Sequence, residues 1–167
     1  MKWLRGSWAI GKILGTELYL HYSMVLIIPL AWYIFKPENF REIISALLWM
    51  VALFICIVFH ELGHAGVARV YNAEVKRIVL WPLGGATQLE NMPKKPFQQM
   101  AILSAGLLVN LLLGALFGLL FLVFYLSSIF SDLQVVDQLR KISLALALLN
   151  LVLMALNVLP IYSRCQG

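Results

Sequence analysis

From residue 43 to residue 59 the chain reads IISALLWMVALFICIVF, seventeen residues without a charge. A helix that is apolar on every side must be buried all round or sit in lipid, so a run of this kind narrows the folds open to the chain. Three more apolar blocks accompany it, at residues 22–35, 101–126 and 142–159. Only 13% of the residues are charged, against about 25% in ordinary soluble domains. The expected fold class is an all-α polytopic membrane protein with about four transmembrane helices.

The first block is the shortest and carries Pro29; extending it back to Leu18 gives eighteen residues but takes in His21. A full crossing asks for about 20 helical residues. The second block continues as a helical pattern to Val70. The third is long enough to cross with tilt, and the fourth stops at the sequence NVLP.

Net charge is +5, and the bases lie mostly between apolar blocks, which points to topology and anionic lipid and away from nucleic acid. With the N-terminus in the cytoplasm, four crossings place Lys2, Arg5, Lys12, Arg69, Lys76, Arg77, Lys94, Lys95 and Arg164 inside. Lys36, Arg41, Arg140 and Lys141 fall outside, a division of nine against four that obeys the positive-inside rule. Both termini are then cytoplasmic, and Asp132 and Asp137 lie across the membrane from the two histidines described below. The N-terminal stretch has bases but no compact apolar core before a small-residue cleavage site, so it does not read as a removable signal peptide. Cys56 and Cys165 are far apart in sequence, and a disulfide framework is not expected.

Between the second and third blocks, EVKRIVLWPLGGATQLE is too polar to span. Its β-branched and aromatic residues, with a bend signal at PLGG, predict a small β-hairpin against the membrane face, the alternative being a loop that dips into the interface. No repeat or composition shift marks a second domain, so residues 1–167 read as a single membrane-embedded unit.

The chemistry sits at HELGH, directly behind the greasy second block. His60 and His64, four apart on a helix, project from one face on successive turns and can reach one zinc ion. Glu61 stands where it can take a proton from zinc-bound water. In a soluble protein the same residues could be hydrogen-bonded core histidines, with Glu61 paired to a base. Inside a membrane, a charged carboxylate at mid-helix costs roughly 2.5 to 3.5 kcal/mol on insertion scales, so a polar cavity or a metal is needed to offset it. Gly63 and Gly66 suit close helix approach or are ordinary membrane-helix glycines. In ILSAGLLVN, Asn110 follows a small-residue stretch and reads, from the residues alone, as an interhelical hydrogen-bonding group.

The ordered set GTELYLHYS, HELGH, IVLWPLGG, SAGLLVN and NVLP resembles the site-2 proteases, intramembrane zinc metalloproteases, over nearly the whole chain. The resemblance implies a zinc metalloendopeptidase that cuts transmembrane segments of other membrane proteins, in a multi-pass protein of the cell membrane. It implies His60 and His64 as zinc ligands and Glu61 as the catalytic carboxylate. Asn110 matches the family asparagine thought to assist at the scissile carbonyl, with Leu107 where the family has proline. Gly84 and Gly85 resemble the turn of a strand element that receives an extended substrate. His21 matches a recurrent N-terminal histidine of the family and is not assigned as a ligand.

The departure is at the end. The family runs on to an LDGG-like element whose Asp is the third zinc ligand; aligning NVLPIYSRCQG on Asn157 and Pro160 puts Cys165 there, and a thiolate can bind zinc. The expectation is a C-terminally truncated domain. The alternatives are an inactive homologue acting as a membrane binding partner, Cys165 as a substitute ligand, and an interrupted or altered sequence. Oligomeric state stays open.

Overall fold

A computed structural model of the chain describes residues 6–13, 15–82, 84–130 and 133–158. Lys2, Arg5, Asp132, Pro160, Arg164 and Cys165, used above, lie outside the described residues. The described elements run β1 (Ser7–Ile13), β2 (Thr16–His21), a 3₁₀ turn (Tyr22–Leu26), α1 (Ile27–Phe35), α2 (Phe40–Val70), β3 (Glu74–Trp81), β4 (Gly84–Glu90), α3 (Pro96–Phe130) and α4 (Gln134–Val158).

Three described helices, in α2, α3 and α4, are long and apolar enough to cross a membrane. The first apolar block, short for a crossing by its sequence, does not form one long helix. It becomes the 3₁₀ turn and the nine-residue α1, ended by Lys36 in a left-handed conformation with Pro37 behind it. α2 spans about 46 Å at 1.5 Å per residue, and its C-terminal end leads straight into β3. Because β2 pairs with β3, the chain must travel from the sheet to the far end of α2 before α2 can return. Phe35 has reached Trp49, ring centroids 5.2 Å apart, by the end of α1.

At that far end Asn39 caps α2, its side chain accepting from the Glu42 amide at 3.0 Å while its own amide donates to the Glu42 carboxylate at 2.8 Å. Arg41 donates to the side chain of Gln134 at 2.7 Å, so the starts of α2 and α4 lie on the same side. The helices invert the soluble pattern. Buried positions of α3 are Ile102, Ala105, Gly106, Asn110 and Gly114, one mostly small-residue stripe, while leucines such as Leu108, Leu112 and Leu119 face outward. Small residues let backbones approach, and the outward leucines suit lipid.

The expected hairpin is present as β3 and β4, but it is half of a four-stranded sheet in the order β1-β2-β3-β4. β1 and β2 are antiparallel, β2 and β3 parallel, and β3 and β4 antiparallel. Leu18 and Leu20 pair with Ile78 and Leu80, which pair in turn with Thr87 and Gly85. Side chains alternate along strands, so all six residues face one way. Leu18, Ile78 and Leu80 from this face join Ile27, Leu53, Ile57, Ala65 and Leu153 in one buried cluster. The sheet is therefore packed onto the helices at the end that carries His60 and His64, through a shared core. Two consequences matter for the site: β3 is an interior strand, and β4 is an edge.

Candidate metal and catalytic site

α2 carries HELGH where the helix leaves its apolar stretch and meets the sheet, and here α3 and β4 close over it. His60 and Glu61 are each only 3% exposed. The Nε2 atoms of His60 and His64 lie 3.1 Å apart. His64 Nδ1 donates to the carbonyl oxygen of Ile102 on α3 at 2.7 Å. A carbonyl only accepts, so that bond puts the proton on Nδ1 and leaves the Nε2 lone pair directed at the space beside His60.

Gly106 makes the room. A Cβ there would sit 2.6 Å from His60 Cε1 and 2.7 Å from His64 Cε1, and closer still to His64 Nε2. Any side chain would occupy the space between the imidazoles. Asn110, one turn further along α3, lies beside the His60 ring. It is fully buried with its side chain within hydrogen-bonding reach of the His60 ring, while no well-aligned hydrogen bond to its Nδ2 or Oδ1, or to His60 Nδ1, forms among the described residues. Buried polar atoms are rarely left so, because the desolvation penalty is about 1 to 3 kcal/mol each.

Glu61 turns toward β4. Its Oε2 accepts from the hydroxyl of Thr87 at 2.7 Å, and its Oε1 lies 4.0 Å from His60 Nε2. No Lys or Arg reaches it among the described residues, so the alternative of a carboxylate paired to a base does not describe this helix. Gly85 supplies clearance on that side: a Cβ would lie 2.5 Å from Glu61 Cδ and 2.7 Å from Oε1.

A family model described as Peptidase family M50 matches residues 48–142, more than half of the chain. The chain belongs to peptidase family M50. This M50 chain is 30% identical over 156 residues to a zinc metalloprotease of Methanocaldococcus jannaschii, a match covering 93% of the chain and 42% of that relative. It is 33% identical over 58 residues to stage IV sporulation protein FB of Bacillus subtilis, covering 34% of the chain and 20% of the relative. Among solved structures it is similar to the site-2 protease from Methanocaldococcus jannaschii, with TM-score 0.66 and 28% identity over 93% of this chain and 66% of that one. The M50 chain thus spans less than half the length of these curated relatives. The fold is that of a site-2 protease, and the protein is a membrane protein.

The M50 site fits a zinc ion in part. Two imidazole nitrogens on tetrahedral zinc at about 2.0 to 2.1 Å stand about 3.3 to 3.4 Å apart, close to the observed spacing. Among the described residues no group of three His, Cys, Asp or Glu side chains could hold a metal. Cys165 lies outside them. Cys56, one turn before His60, is instead occupied by Asn150 on α4, whose Nδ2 donates to its sulfur at 3.4 Å.

His21 stands apart from the histidine pair, stacked on Trp81 with centroids 4.9 Å apart and its Nδ1 2.7 Å from Ser23 Oγ. Gly63 packs against Ala105 and Val109 of α3, whereas Gly66 faces open space. The sequence reading passed over Thr87 and the Ile102 carbonyl. Thr87 was detectable in principle, because the alternation of ATQLE behind Gly85 puts Gly85 and Thr87 on one face. A backbone carbonyl on another helix leaves no sequence signal.

Proposed function

We propose that this chain acts as a zinc metalloendopeptidase on transmembrane segments of other membrane proteins. One observation carries the reading: two imidazole Nε2 atoms converge at 3.1 Å, with a buried carboxylate and an edge strand beside them, in a body of membrane-length helices. His60 and His64 are the residues that would hold zinc, with Cys165 proposed as a third ligand. Bound there, zinc would supply Lewis-acid polarisation of the scissile carbonyl and activation of water.

The chain's own residues do the remaining work. Peptide bonds in a membrane helix are internally hydrogen-bonded, so a target must be locally opened before it can be attacked. β4 is placed to pair with the opened backbone by strand addition. VKRIVLW cannot offer that edge, since β3 is paired on both sides, whereas GGATQLE forms the outer strand. Glu61 takes the proton of the attacking water on Oε1 and passes it to the leaving amide nitrogen. Asn110 Nδ2 donates to the carbonyl oxygen as negative charge develops. The separation of outer and inner bases, together with the pairing of β2 to β3, supports a cell-membrane protein with both termini of this chain cytoplasmic.

A second reading has an observation of its own. The described residues supply two metal-binding side chains and no third, which suits a membrane binding partner that captures segments without cutting them. The purified chain in lipid nanodiscs decides between the two. Zinc at about one equivalent, cleavage of a membrane-spanning peptide, and loss of cleavage but not of zinc in Glu61→Gln support the protease. A metal-free chain that binds the peptide and leaves it intact supports the partner and sinks the protease.

A further inference from the structure

Glu61 is held from one side only. Its two carboxylate oxygens face different elements: Oε2 accepts from Thr87 on β4, and Oε1 is turned to His60 at 4.0 Å. Thr87 is the single side chain with a hydrogen bond to this carboxylate among the described residues, and the main-chain N–H of Gly85, on the same strand, also reaches it. Three torsions separate the carboxylate from the α2 backbone, so without a fixed donor Oε1 has no reason to stay aimed at the histidines. A strand threonine suits that task. Branching at Cβ makes its χ1 stiff, and β4 is registered to the buried β3 through Ile78 opposite Thr87 and Leu80 opposite Gly85. Gly85, two residues earlier on the same face, leaves the carboxylate space in which to lie.

We propose that Thr87 is a positioning residue for Glu61, holding Oε2 from the edge strand so that Oε1 is the oxygen presented to the reacting water. The inference rests on the protease reading of Glu61 and adds to it a dependence. The strand proposed to receive the substrate backbone is also the strand that aims the proton acceptor. A shift of β4 therefore moves Oε1, and a segment that pairs in register with β4 sets both at once.

The test uses the full chain, zinc-loaded, in nanodiscs with a membrane-spanning peptide, and compares Thr87→Val with Thr87→Ser. Valine keeps the branched shape and removes the donor; serine keeps the donor. Thr87→Val is expected to lower kcat about 10- to 100-fold with KM within about twofold and zinc content unchanged, and Thr87→Ser to recover most of the rate. Hydrogen–deuterium exchange of the β4 amides supplies a readout independent of turnover. Thr87→Val should speed it, and should add nothing in a Glu61→Ala background, where the bond is already gone. An unchanged kcat in Thr87→Val overturns the proposal. So does equal loss in both variants, or exchange that rises as much without Glu61 as with it. If the parent does not cut, the protease reading and the positioning role fall together, while the exchange comparison still decides whether Thr87 tethers Glu61.

Discussion

His64 on α2 donates through Nδ1 to the main-chain carbonyl of Ile102 on α3, 38 positions later in the chain, at 2.7 Å. One helix therefore fixes the tautomer of a side chain on another, and the His64 Nε2 lone pair is aimed at His60 Nε2, 3.1 Å away. Such outer bonds orient metal-binding histidines and raise their basicity.

The first prediction follows from that pairing. His64→Ala should reduce bound zinc from about one equivalent to none, with helix content by circular dichroism unchanged, because the helix itself does not depend on the bond. Retention of zinc would show that the metal is held elsewhere.

Gly106 tests the space between the imidazoles. A Cβ there overlaps both rings, so Gly106→Ala should weaken zinc about 10- to 100-fold in competition with a chelator. Gly118, on the same helix with nothing among the described residues within 4 Å of an added Cβ, is the control, and Gly118→Ala should leave affinity as it was.

Asn110 is buried beside His60 with no well-aligned hydrogen bond to either side-chain polar atom among the described residues, so its removal should cost little stability and much rate. Asn110→Ala is expected to lower kcat about 100- to 1,000-fold, the range for losing one oxyanion donor, with zinc content unchanged. A large fall in melting temperature with a small fall in kcat would identify it as an interhelical packing group instead.

The two glycines of the α2 motif should part company. A Cβ at Gly63 meets Val109 Cγ2 at 2.7 Å and the Ala105 carbonyl oxygen at 3.1 Å, so Gly63→Ala should destabilise the α2–α3 contact by about 1 to 3 kcal/mol. Gly66 has nothing within 4 Å, and Gly66→Ala should be neutral or stabilising by up to about 1 kcal/mol through helix propensity. Thermal unfolding of both variants in one detergent measures the difference.

The sequence reached the helical body and the motif for a common reason. Apolar blocks of membrane length, and a His pair four residues apart, are local patterns whose period dictates what they form. It marked the first block as short for a crossing, and Pro29 with the early stop at Lys36 and Pro37 makes that fourteen-residue stretch a 3₁₀ turn and the short α1. It passed over β1 and β2. Both are short, and the β1 pairing is broken by a register shift between Ala9 and Gly11, so neither shows a sustained alternation.

What the sequence determined by itself is what neighbours along the chain determine: membrane-length helices, one zinc-competent face at His60 and His64, and a carboxylate beside it. Tertiary structure alone decided which edge of the sheet is open, since the parallel pairing of Leu20 with Leu80 joins residues 60 positions apart and encloses β3. It also decided that the Ile102 carbonyl aims His64, that Gly106 keeps the imidazoles clear, and that Thr87 holds Glu61. Each of these joins one element to another across space. Periodicity can place a residue on a face, but only the packed chain determines what that face meets.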